Sequence, residues 1–326
     1  MPRELGFASP LAGGIVQFLA CKRALGRRYL VEEAALRLLD RFLVEQHITT
    51  LEAITPDVID AFLASRPRAR PRSYNHLQGT VARYFTWLVA HGQLATSPVR
   101  ARPRRVTSER LPFLFDQAAA RRLLDVASRL PDNGRAPLRG PTYRTIFALL
   151  YGLGLRVGEV ARLTVGDVDG DRRLLVIRKT KFGKSRLVPF GPRIGRTLED
   201  YLALRRARRD LDATSPLFTF TRRGAIHPGT ISQTFHQLVP QLALVVPEGV
   251  APPRLHDLRH AFAVGTLLRW YRLGLDPRAR LLHLSTFLGH VDPASTAVYL
   301  TITPALLQEA SQRFADFAAA LREAKP

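Results

Sequence analysis

Gly152-Leu153-Gly154-Leu155-Arg156-Val157-Gly158-Glu159 is the stretch on which the fold turns. It closes an apolar run, Thr142–Leu153, whose spacing reads as a buried helix, and a charged pair at i, i+3 follows at once. Arg156 has two readings at this point. It is either a solvated surface residue paired with Glu159, or a buried guanidinium that Glu159 holds ready to bind an oxyanion bidentately. Upstream, Asp116 is placed to cap a helix rich in Ala, Arg and Leu; downstream, a short helix runs to Leu163. Asp167-Val168-Asp169-Gly170-Asp171 lacks the glycine position and closing glutamate of a calcium loop, so it reads as the turn entering a strand. Leu174–Arg178 and Arg186–Phe190 are the two convincing strands. After Pro192 the pattern is helical again, apart from a possible strand at Leu217–Phe220.

The opening third is helical with short connections. Leu11–Leu25 has helical spacing and stops at Gly26, and Val31, Ala35, Leu38 and Phe42 form a second stripe. Thr55-Pro56 supplies an N-cap and a first-turn proline for Asp57–Ala64, and Ser73 is a candidate cap for a fourth helix ending near His91-Gly92. Between Ser97 and Pro112, Pro98 and Pro103 deny regular structure, while Arg100, Arg102, Arg104, Arg105 and Arg110 face one acid, Glu109. This segment is either a solvated linker or a basic tether that crosses a phosphate backbone. The expected division is therefore a helical domain at 1–96, a linker at 97–112 and a second domain at 113–326.

Forty-nine Lys and Arg against 27 Asp and Glu give a formal charge of +22, which points to a polyanionic partner. Only five of the cations are lysines. No window approaches the ~18 apolar residues of a membrane span. One cysteine, Cys21, leaves no disulfide framework and no cysteine zinc site. The Leu11–Cys21 stretch imitates a lipoprotein cleavage site, but Gln17 interrupts it and Lys22-Arg23 continue the helix. A cytoplasmic, nucleoid-associated, bacterial-type protein is expected. No glycine-rich phosphate loop supports an NTP-driven reaction.

Three further constellations follow the first. Lys179, Lys181 and Lys184 fall on the turn between the two strands, next to Arg186. A basic hairpin of this kind contacts phosphate, and a lysine can also release a proton as a general acid. In His256-Asp257-Leu258-Arg259-His260, the two histidines at i, i+4 imitate a helical zinc pair. The acid is Asp rather than Glu, however, and Arg259 would set a cation beside the metal. His256 and Arg259, at i, i+3, can instead address one phosphate. The last piece is Leu288-Gly289-His290 followed by Tyr299, which in isolation is a half-buried core tyrosine.

Taken in order, these pieces resemble the tyrosine recombinase (phage integrase) family over nearly the whole chain. The resemblance implies a mainly α protein. Its parts would be a four-helix SAM-like core-DNA-binding domain and an integrase-type catalytic domain, helical with a small antiparallel sheet. By the same resemblance Arg156 and Arg259 clamp the scissile phosphate, and His256 assists proton transfer or orients it. His290 contacts a non-bridging oxygen, Tyr299 is the nucleophile, and Glu159 and His260 support the set. Lys181 best matches the lysine that protonates the leaving oxygen, with Lys184 as the alternative. Arg100, Arg102, Arg104, Arg105, Lys179, Lys184 and Arg186 are expected to bind DNA.

The implied activity is site-specific recombination through a 3′-phosphotyrosine, with no cofactor, metal or ATP. A type IB topoisomerase-like enzyme and a non-enzymatic DNA-binding protein are the alternatives. The implied partners are duplex DNA with inverted-repeat core sites, further copies in a tetrameric synapse, and other recombinases or accessory proteins. Leu307, Ala310, Phe314, Phe317 and Leu321 form a helical stripe that either packs on its own domain or docks on a neighbouring protomer.

Overall fold

A computed structural model describes residues 6–106, 111–178, 185–220, 224–290 and 292–300. The chain divides into two compact units, the first ending at Glu109 and the second starting at Arg110.

The first unit holds α1 (Ala12–Ala24), α2 (Leu30–Glu45), α3 (Pro56–Ala64) and α4 (Pro71–Ala90). Ile15, Phe18, Leu36, Leu39, Ile59, Phe62, Tyr84 and Phe85 fill its core. Thr55 caps α3 by accepting from the Val58 amide, with Pro56 at the first helical position. In α2 the buried face is Ala35, Leu36, Leu39, Phe42 and Leu43, whereas Val31 in the first turn stays exposed. The expected stripe therefore lies slightly off the true inner face. Helix α4 starts two residues before Ser73, because Pro71 presets the helical φ at its first turn and Arg70 takes the cap position.

The basic segment after α4 is non-helical and fastened to that helix. Gln78 donates to the Ala101 carbonyl at 2.8 Å. The Asn75 carboxamide accepts from the Arg104 amide at 2.7 Å and donates to its carbonyl at 2.8 Å.

The second unit is built around α6 (Arg139–Gly152), whose stretch from Thr145 to Leu150 is buried throughout. Before it lies α5 (Gln117–Ser128), capped by Asp116 at 2.6 Å from the Ala119 amide. After it come α7 (Val157–Ala161) and a three-stranded antiparallel sheet of β1 (Val168–Asp169), β2 (Leu174–Ile177) and β3 (Arg186–Pro189). Leu175 sits opposite Val168 on one side and Val188 on the other. Then follow α8 (Pro192–Arg206), α9 (Pro228–Leu238), α10 (Asp257–Arg272), α11 (Leu281–Leu288), α12 (Ala294–Ala297) and a 3₁₀ turn at Val298–Leu300.

Two expectations change here. The acidic stretch read as a turn contributes β1. Asp167 accepts from the Thr164 amide and hydroxyl and from Arg178, so it locks the chain entering the sheet. Leu217–Phe220 forms no strand. The chain pairs at the Thr164–Pro216 bridge just before it, where the Leu217 amide donates to the Leu163 carbonyl at 2.7 Å. The Leu163 amide is already used by Val160 and the Leu217 carbonyl by Arg205, so the ladder goes no further. No helix among the described residues is long and apolar enough to cross a membrane.

Candidate active site

The site forms where the C-terminus of α11 meets the starts of α7 and α10 and the first residue of β3. The last carbonyls of a helix lack intrahelical donors and carry the negative end of its dipole. Three arginines supply donors to those of α11. Arg186 Nε donates to Phe287 O at 2.9 Å. Arg259 Nη2 donates to Leu288 O at 2.8 Å, and Arg156 Nη2 donates to Gly289 O at 3.0 Å.

Gly289 closes the helix at φ +68°, where an L side chain is strained, and a Cβ there would lie 2.7 Å from Arg186 Nη1. Gly154, at φ +59°, turns the chain from α6 towards Arg156; a Cβ there would lie 2.5 Å from the Phe262 ring. The residue-level reading of both glycines is the same: only a missing side chain lets the backbone pass this close.

Glu159 joins two of the arginines. It is buried, takes both terminal nitrogens of Arg186 at 2.9 Å, and accepts from Arg156 Nη1 at 2.8 Å and from the Arg156 amide at 3.0 Å. Burial alone would raise its pKa, but the two guanidinium groups hold it at about 2. Arg259 has no such carboxylate. It is 1% exposed and donates to the carbonyls of Gly154 at 2.6 Å and Leu288 at 2.8 Å. Burial, then the neighbouring Arg156, lowers its pKa to about 10, which leaves it charged at neutral pH. A single carboxylate thus stands against three buried or half-buried cations. That surplus fits an incoming anion.

Tyr299, on the 3₁₀ turn, is buried with Leu284, Leu288, Ala263, Val264 and Leu267. Its hydroxyl lies 2.9 Å from His260 Nδ1. The His290 ring lies parallel to the Tyr299 ring at 6.5 Å, and its Nδ1 is 2.7 Å from the buried Thr296 hydroxyl. His256, at the N-cap of α10, is exposed and sets its ring perpendicular to His260 at 4.8 Å. Loss of water and the adjacent cations push His256, His260 and His290 down to about 4, so all three are neutral at pH 7. For Tyr299, burial raises the pKa and outweighs the opposing pull of Arg259 and Arg156. In the free protein the phenol is therefore held protonated despite the cations beside it.

Arg156, Glu159, His256, Arg259, His260, His290 and Tyr299 all come together in the second unit. Lys179, Lys181 and Lys184 lie outside the described residues. Arg186 is a correction: expected on the DNA-facing hairpin, it turns inward and spends its guanidinium on Glu159 and Phe287, with its side chain 11% exposed. In the first unit Arg100, Arg102 and Arg105 are exposed. Arg104 is also exposed, but it donates to Arg68 O at 2.9 Å and stacks over Tyr74 at 3.9 Å. Sequence reasoning missed Thr296 as the partner of His290 and Asp257 as a buried neighbour of His260. The i, i+3 spacing of Asp257 and His260 carried the second signal.

Residues 115–305 match the model of the phage integrase family. A chain of Sinorhizobium fredii named integrase/recombinase y4rB is 38% identical over 314 residues, covering 92% of this chain and 95% of its own. Tyrosine recombinase XerC of Xanthomonas campestris pv. campestris is 32% identical over 231 residues, 70% of this chain and 63% of its own. Among solved structures, the Tn1549 transposon integrase in complex with transposon right-end DNA is similar with TM-score 0.64 at 15% identity, covering 94% of this chain and 98% of that one. A lambda integrase dimer bound to a COC′ core site gives 0.62 at 20% identity, over 89% of this chain and 76% of that one. Those two likenesses concern the fold. The chain belongs to the phage integrase family, the tyrosine recombinases, enzymes that break and rejoin DNA.

Proposed function

We propose that the chain recombines duplex DNA at specific sites through a covalent 3′-phosphotyrosine at Tyr299. The observation that carries this reading is a buried hydroxyl beside two guanidinium groups, Arg156, paired with Glu159, and Arg259, held by backbone carbonyls. The transition state of phosphoryl transfer gathers negative charge on the equatorial oxygens, and fixed donors aimed there stabilise it without reorganising. When a phosphate arrives, Arg156 and Arg259 exchange carbonyl contacts for its oxygens. His256 and His290 position it as neutral donors. Lys181, or in its place Lys184, protonates the 5′ oxygen as it leaves. The phosphodiester energy is kept in the tyrosyl bond, and a 5′-hydroxyl from another duplex can attack it.

The protein is incubated in EDTA with a nicked duplex carrying its target site. A covalent protein–DNA band is expected, absent from Tyr299→Phe although that variant still binds. No band from the wild-type chain, or one that persists in Tyr299→Phe, would reject the reading. Transfer of the labelled strand to a second duplex separates recombination from topoisomerase-like relaxation.

The substrate in this reading is a pair of inverted-repeat core sites held in a tetrameric synapse, with accessory proteins where the element requires them. The C-terminal stripe from Leu307 to Leu321 lies outside the described residues; its apolar spacing supports a role in docking on the next protomer. Deleting residues 304–326 abolishes synapsis on native gels and leaves single-site binding intact; unchanged synapsis would mean that the stripe packs on its own domain.

A further inference from the structure

We propose that His260 takes the phenolic proton of Tyr299 as the DNA is cleaved and returns it on religation, with Asp257 selecting the tautomer that permits this. The proposal rests on the Tyr299 nucleophile assigned above. The contact between His260 Nδ1 and the Tyr299 hydroxyl, 2.9 Å, lies within proton-transfer reach. No hydrogen bond between His256 and Tyr299 is found among the described residues, although His256 is the histidine placed beside the arginine by sequence.

The groups around His260 set its state. Arg254, Asp257, His256 and Arg259 face it from α10 and the turn before, and Tyr299 faces it from the 3₁₀ turn, with His290 beyond. Burial, Arg254 and Arg259 keep its imidazole neutral, and a neutral ring has one N–H and one acceptor nitrogen. Asp257 is fully buried and fixed by the Arg254 amide at 2.8 Å and the Arg254 side chain at 3.1 Å. Its Oδ1 lies 3.9 Å from His260 Nε2. A carboxylate on that side favours the proton on Nε2, so the Nδ1 lone pair points at the phenol. Tyr299 and His260 are thus in hydrogen-bond contact, with a buried carboxylate 3.9 Å from the other ring nitrogen to bias its proton.

The substrate itself strengthens the base. A phosphate bound by Arg156 and Arg259 offsets the cations that depress His260, which raises its affinity for a proton when attack begins. The Tyr299 O–H bond breaks to Nδ1 as the phenolic oxygen bonds phosphorus. The bond from phosphorus to the 5′ oxygen breaks, and that oxygen takes its proton from the hairpin acid. Religation reverses each transfer, and the imidazolium gives its proton back to Tyr299.

Single-turnover cleavage is measured on the nicked duplex that yields the wild-type Tyr299 adduct, with His260→Ala and His260→Asn. Asn keeps an acceptor near the Nδ1 position but takes no proton. Both variants are expected to bind DNA normally and to cleave about 100-fold more slowly at pH 7, the usual size of such catalysis. Their rates should climb about tenfold per pH unit between roughly pH 7 and 9, as solvent removes the proton, while the wild-type rate stays nearly flat. A bridging sulfur at the 5′ position, which leaves without a proton, should restore neither. Wild-type cleavage by His260→Asn would reduce His260 to a positioning residue and overturn the proposal; rescue of both variants by sulfur would assign it to the leaving group and overturn it equally. A wild-type chain without an adduct at Tyr299 removes the reading beneath it, and the proposal with it.

Discussion

Two groups of arginines in this protein do opposite things. At the end of α11, Arg156, Arg186 and Arg259 are withdrawn from water and fixed by backbone carbonyls and Glu159. Along the segment after α4, Arg100, Arg102 and Arg105 stand exposed, and the Arg100–Asp57 ion pair, at 3.5 Å, is open to solvent. Cations of the first kind act on charge that develops at one atom and are little screened by salt. Cations of the second kind act on a charged polymer and weaken as salt rises. In the proposed reading the same side chain serves chemistry or adhesion according to burial. Composition alone, with its +22 charge, reports only the second.

The contrast breaks if removing a buried arginine merely weakens binding. Arg259→Ala is expected to lower single-turnover cleavage by about 1,000-fold, the upper end for one transition-state donor, with DNA affinity changed only a few-fold. Cleavage and gel-shift measurements on the same duplex check this.

Acid should act on the buried region before the exposed one. His260 and His290 are held at about 4, against 6.5 for an unperturbed histidine, so the unfolded chain binds more protons between those values. Their contribution to stability is complete above about pH 6.5 and is lost as pH falls towards 4. His256, shifted in the same direction but exposed, adds least. Thermal melting at pH 5 should therefore give a lower Tm than at pH 7, and His260→Gln should narrow the gap.

The smallest effect belongs to the exposed set. Arg102→Ala with Arg105→Ala should reduce the log–log salt slope of binding by about 2, roughly 0.9 for each lost phosphate contact, with cleavage at saturating protein unchanged. Arg104→Ala should do more to the segment itself, because its guanidinium packs on Tyr74 and bonds Arg68.

Local rules made much of this legible. Thr55-Pro56 and Asp116 start helices where capping chemistry says they should. The i, i+3 pair Arg156 and Glu159, open between surface and buried readings, falls between them, with Glu159 buried and Arg156 still a third exposed. Arg186 was misread because its role is set by α11, 101 residues away, and no local pattern encodes that approach. Ser73 lost to Pro71 because a fixed φ starts a helix as effectively as a side-chain cap. The burial of Tyr299 against α10 and α11 is likewise tertiary, and it reverses the direction of the pKa shift that nearby cations suggest.

The most direct test of the central claim is to digest the protein–DNA adduct and identify the attached residue by mass spectrometry. The account predicts a nucleotide joined through its 3′ phosphate to Tyr299, with a free 5′-hydroxyl on the other strand end. Attachment through another residue, or through a 5′ phosphate, would contradict it.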